Sequence, residues 1–133
     1  MDPQIVAVME ECTHAASDDR LTFPEILRRL AEIGVESYYA DLRRSLRIYY
    51  LPEGGSVEVK AHETSVPVAA RFDAERVNAA VRQSQANAHT YREFCEKIMA
   101  AGCPGYLVSL LGRRALYFGR TGETHVEHFP GGP

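Results

Sequence analysis

The chain has 133 residues, 45% of them hydrophobic and 25% charged, an ordinary globular composition at a length that suits one domain with its own core. No window approaches the run of about twenty apolar residues that a membrane span needs, and the net charge of −3 argues against a dedicated nucleic-acid binder. The acidic start "MDPQIVAVMEECTHAA" lacks the regions of a secretory signal, and Cys12, Cys95 and Cys103 are odd in number and sit in apolar patterns, so free thiols and a cytoplasmic protein are expected.

Taken in chain order, Asp2-Pro3 suits a helix start, with Ile5, Val8, Met9 and Cys12 as the apolar stripe. A second helix opens at the capping box Thr22–Glu25 and carries Phe23, Ile26, Leu27, Leu30 and Ile33 on one face. Gly34 supplies the left-handed residue that ends it. The period then changes to two in "SYYADL" and "LRIYYL", separated by the turn "RRS", and a third strand "SVEVK" follows "PEGG". Asp73 caps a third helix whose stripe is Val77, Ala80 and Val81; Thr90 and Glu93 box a fourth, with Tyr91, Phe94, Cys95, Ile98 and Ala101, ended by Gly102. Strands with Tyr106, Val108 and Leu110, then Leu116 and Phe118, flank the turn "GRR", and "THVEHF" follows "RTGE".

The second half repeats the first. Gly34 and Gly102, Tyr38 and Tyr106, and Tyr49 and Tyr117 are each 68 residues apart, and the same interval joins Thr22, Glu25, Leu42 and Gly54 to identical residues. The sequence therefore predicts an α+β fold built by internal duplication. Two ααβββ units, residues 1–61 and 73–129, are joined by a connecting segment 62–72 and share one core within a single domain 1–133. Antiparallel meanders form the sheet and helices cover one face.

An aromatic at a capped helix start, a terminal Gly-Val, then Y-x-x-D-L and a paired aromatic resemble the YbcV-like prophage family, a domain of unknown function often labelled phage envelope protein. The resemblance rests on Phe23, Leu30, Gly34, Val35, Tyr38, Asp41, Leu42, Tyr49 and Tyr50, with Tyr91, Phe94, Cys95, Gly102, Tyr106, Leu110, Tyr117 and Phe118 in the second unit. Ser109 stands where the first unit has Asp41, and Cys103-Pro104 replaces Val35-Glu36. The resemblance implies a fold and brings no catalytic residues.

No phosphate loop, nucleophile elbow or dinucleotide fingerprint occurs, so no catalytic residue and no cofactor are assigned. His125 and His128 lie three apart on a strand and point to opposite faces, which argues against a metal site. Period two places Tyr39, Tyr49 and Tyr117 on the face opposite Tyr38, Ile48 and Leu116, with Arg47 beside them. That open face, or a strand edge, is expected to bind another protein or close a homodimer, since interfaces favour Tyr and Arg. The alternative is anion or, less favoured, nucleic-acid binding through the arginine turns, Arg43-Arg44 and Arg113-Arg114.

Overall fold

The computed structural model describes residues 1–130, so the last three residues of the expected domain 1–133 lie outside the described residues. The element order is α1 (Pro3–Ser17), α2 (Phe23–Glu32), β1 (Ser37–Asp41), β2 (Leu46–Tyr50), β3 (Ser56–Lys60), α3 (Ala74–Gln85), α4 (Tyr91–Ala100), β4 (Gly105–Ser109), β5 (Arg114–Phe118) and β6 (Thr124–His128).

Each helix starts where the sequence supplies an oxygen for an orphan amide. Asp2 accepts from the Gln4 N–H at 2.8 Å and Asp73 from the Arg76 N–H at 3.1 Å. Thr22 and Glu25 form a reciprocal box, as do Thr90 and Glu93; each cap is worth about 1 kcal/mol. The second helix of each unit ends in the same six-residue closure: Val35 N–H reaches the Leu30 carbonyl and Gly34 N–H that of Ala31, matched by Cys103 to Ile98 and Gly102 to Met99. That closure requires a left-handed residue, and Gly34 and Gly102 adopt φ of +82° and +90°. Asp19 and Asn87, Ser45 and Arg113, and Gly54 and Gly122 are further positive-φ pairs separated by the same 68 residues, so the backbone repeats with the period of the sequence.

The strands form one antiparallel sheet in the order β3-β2-β1-β4-β5-β6, with β1 and β4 paired at the centre. All four helices lie on one face, α1 against α2 and α3 against α4, with α1 reaching β3 and α3 reaching β6. The core between them includes Met9, Leu30, Tyr38, Tyr49, Val77, Ile98 and Val108, all fully buried. No helix among the described residues is long and apolar enough to cross a membrane.

The register corrects the expected faces. Tyr38 pairs with Tyr49, Ala40 with Arg47, and Tyr106 with Tyr117, and residues directly opposite in an antiparallel ladder share a face. Because Tyr38 and Tyr106 point under the helices, Tyr49, Tyr117 and Arg47 are carried there too, and none of the three lies on the open face. In "LRIYY" the more apolar set, Leu46, Ile48 and Tyr50, is outside, and hairpin register overrides the local alternation.

Candidate functional site

The uncovered face of the sheet holds a row in register across all six strands: Glu58, Ile48, Tyr39, Leu107, Leu116 and Val126. Five of these six are apolar or aromatic; Val126 is 36% exposed and Ile48, Tyr39, Leu107 and Leu116 are half-buried. The Tyr39 ring lies across Gly105, where a Cβ would meet its hydroxyl at 2.6 Å, and stacks on Phe118 at 6.0 Å between centroids. Tyr50, 37% exposed, and Leu46 widen the apolar band toward β3. Charged residues sit toward the margins of this face: Glu58 and Lys60 on the β3 edge, Arg114 and His128 toward β6, and Asp41 at the end of β1.

The arginine turns are exposed, but they do not converge. Arg43 and Arg44 follow β1, Arg113 and Arg114 follow β4, and the two strands run antiparallel side by side. The turns therefore stand at opposite ends of the sheet, separated by a five-residue strand, roughly 15 Å. Arg113 is occupied with the Pro130 carbonyl at 3.2 Å and the Arg114 Nε with that of Gly112 at 3.1 Å. Arg43 instead shares an open groove of about 310 Å³ with Arg120 and the extended segment Thr64–Val68.

Under the helices, Tyr49, Tyr38, Tyr106 and Tyr117 form a layer across β2, β1, β4 and β5, with neighbouring ring centroids 5.4, 6.5 and 5.3 Å apart. Arg47, only 3% exposed, is set into this layer. Its guanidinium lies over the rings of Tyr38 at 4.8 Å and of Tyr91, from α4, at 5.2 Å. It donates at 3.5 Å to the hydroxyls of Tyr49 and Tyr106. The Thr13 hydroxyl donates to the Met9 carbonyl at 2.9 Å, so in the 2.7 Å contact between Thr13 and Tyr49 the phenol is the donor. Tyr106 is linked to Tyr91 at 2.6 Å between hydroxyl oxygens. Burial holds the phenols of Tyr38, Tyr106 and Tyr117 well above their ordinary range, so at neutral pH these rings are uncharged.

The connecting segment closes one side of this layer. Ala61 N–H bonds the Ser45 carbonyl at 2.8 Å, His62 Nδ1 meets the Ser17 hydroxyl at 2.7 Å, and the His62 ring packs edge-on to Tyr91. The three cysteines are buried; burial raises the Cys12 and Cys103 thiols and pushes Cys95 up to about 12, which leaves them protonated and unreactive. His125 points inward beside Glu127, itself paired with Arg82 at 2.9 Å, whereas His128 points outward.

Sequence reasoning missed the Arg47 cluster, Thr13 and His62. The usable signal was parity: with Tyr38 inward, a four-residue turn between Asp41 and Leu46 sends odd-numbered residues of β2 inward.

Residues 9–127 match the family described as "Protein of unknown function (DUF1398)". The uncharacterized protein Mb2035 of Mycobacterium bovis and the uncharacterized protein Rv2012 of Mycobacterium tuberculosis are each 36% identical over 58 residues, which is 44% of this chain and 35% of the relative. The matched stretch thus spans about a third of the length of these curated relatives. Neither description mentions a prophage or an envelope, so the resemblance narrows to a family of unknown function.

Proposed function

Because the chain belongs to the DUF1398 family, whose function is unknown, its own surfaces carry the argument, and we propose that it is a binding module that self-associates through the open face of its sheet. The observation that carries this reading is the apolar row Ile48–Tyr39–Leu107–Leu116–Val126, in register and uncovered by any helix. A continuous apolar patch of this kind is costly to leave in water and marks an interaction surface.

The occupant is a second copy, sheet on sheet at about 10 Å. A two-fold axis lying between the sheets and parallel to the strands sets β3 over the partner's β6. Ile48 then faces the partner's Leu116, Tyr39 the partner's Leu107, Leu46 the partner's Phe118 and Tyr50 the partner's Arg114, with no like charges opposed. An axis across the strands would instead set Glu58 on the partner's Glu58. Such an isologous contact uses one patch twice. The 68-residue period of helices, strands and positive-φ residues supports an origin of the fold by duplication of one ααβββ unit, and that origin accounts for the similar faces of the two halves.

Sedimentation equilibrium tests the reading. Wild-type protein should form dimers in the micromolar range, and Tyr39→Lys with Leu107→Lys, both outside the core, should sediment as a monomer with unchanged circular dichroism. A wild type monomeric throughout that range would overturn it.

A second reading, anion binding at the turns, is favoured only at Arg43, where the groove shared with Arg120 sets two guanidinium groups beside the connecting segment. Binding there should weaken steeply with salt.

A further inference from the structure

Buried charges in proteins are paired, because taking one out of water costs several kcal/mol. Arg47 breaks that rule: it is 3% exposed, and among the described residues no carboxylate lies within ion-pair distance of its guanidinium. The rings of Tyr38 and Tyr91 offer their negative faces and offset part of the desolvation, and two phenols accept long bonds at 3.5 Å. All of these are neutral dipoles, and none balances the charge.

Beside Arg47 is a small cavity of about 10 Å³, bounded also by Tyr91, Ser45, Asp41, His62 and Thr64. The Asp41 carboxylate is engaged by the Arg44 backbone N–H at 3.1 Å, on the outward side of β1. One side of the cavity is formed by Ala61 and by His62 and Thr64 of the connecting segment. A single water fills roughly 10–15 Å³ on this scale, so the space suits one compact group.

We propose that this cavity is an anion site in which Arg47 binds a single chloride ion. One guanidinium sets the charge, and Ser45 and Thr64 line the same cavity. The site lies on the helix-covered side of the sheet, so it is independent of the open face.

The experiment is a titration of the full chain with sodium chloride and, separately, sodium acetate, with ionic strength held constant by sodium gluconate, whose anion is too bulky for the cavity. The readouts are the Arg47 Nε–Hε resonance and the thermal midpoint. Wild type should show a saturable single-site shift with chloride and a midpoint that rises with it. Acetate, too large for a space of about 10 Å³, should give no saturable shift, and a saturating response to acetate would overturn the assignment to a halide. Arg47→Met, an apolar replacement of similar length, should lose the midpoint response. Ala61→Leu, which enlarges a lining side chain and leaves the guanidinium in place, should weaken binding about tenfold or more. Should Arg47→Met fail to fold, the wild-type resonance and Ala61→Leu decide the matter. A wild type indifferent to chloride, or a response preserved in Ala61→Leu or Arg47→Met, would overturn the site and leave Arg47 as a guanidinium caged by aromatic rings.

Discussion

Position for position across the 68-residue period, the first unit buries Thr13 and Arg47 where the second buries Val81 and Ala115, while Tyr38 and Tyr49 answer to Tyr106 and Tyr117. At the start of the second helix in each unit, Phe23 packs on Phe129 at 5.5 Å, whereas Tyr91 reaches across to Arg47 and Tyr106. The two units therefore share a backbone and differ in the polar chemistry beneath it. Features that fix chain direction, such as capping boxes, left-handed closures and hairpin parity, are the same in both. Side chains that need only fill volume differ between the halves, and one half carries a charge where the other has a methyl group.

The sharpest way to break the backbone equivalence is at the closures. Gly34 has open space where a Cβ would go, but at Gly102 the added carbon would sit 2.1 Å from the Arg71 carbonyl oxygen, because the connecting segment crosses only that helix end. Gly34→Ala should cost about 1 kcal/mol from positive φ alone. Gly102→Ala adds displacement of backbone and should cost about 3 kcal/mol or more, read as a lower urea midpoint at an unchanged slope. Equal losses in the two variants would mean that the crossing segment yields freely.

A smaller effect separates the equivalent tyrosines Tyr38 and Tyr106. The Tyr106 hydroxyl is held by Tyr91 and by Arg47, whereas the buried Tyr38 hydroxyl has no hydrogen-bond partner among the described residues. The repeat explains this, since the residue that would answer to Tyr91 is Phe23, which has no hydroxyl to offer. Tyr106→Phe should therefore cost about 1–2 kcal/mol, while Tyr38→Phe should be neutral or stabilising, because it removes an unsatisfied buried group. Chemical denaturation of both variants measures the difference. A larger loss for Tyr38→Phe would show that its hydroxyl holds a water.

The contrast also shows what could be read from sequence. Helix starts and ends, the three-stranded meanders and their 68-residue spacing were legible, because Thr22, Glu25, Gly34 and their counterparts act within a few residues of themselves. The order of strands, with β1 against β4 at the centre, and the side on which each strand faces the helices depend on long-range register. Period two in "LRIYY" marks two alternating sets without saying which is inside. Hydrophobicity favoured Leu46, Ile48 and Tyr50, and the turn length delivered Arg47 and Tyr49 instead. Of the residues expected on the open face, Tyr39 is there. Arg47, Tyr49 and Tyr117 are beneath the helices, and the arginine turns are exposed but far apart. The Tyr91–Arg47–His62 contact joins residues from both units and the connecting segment, and no local pattern encodes it.

The smallest expected effect tests the connecting segment through His62, whose counterpart 68 residues on is Pro130. Burial first, then the charges of Arg92 on α4 and Arg47 on β2, lower the His62 pKa below its ordinary value, with Asp18 at the end of α1 opposing. The unfolded chain thus takes up a proton at higher pH than the folded chain does. Stability associated with neutral His62 is fully present above the ordinary histidine value, is lost as pH falls from there toward the lower folded value, and falls no further below it. His89 is shifted in the same direction by burial and Lys97, so wild type alone cannot isolate His62. The difference between wild type and His62→Gln, followed by urea denaturation from about pH 8 to about pH 5, removes that common contribution. The variant should lose less stability on acidification than wild type, and parallel curves would mean that the connecting segment opens enough to hydrate the imidazolium.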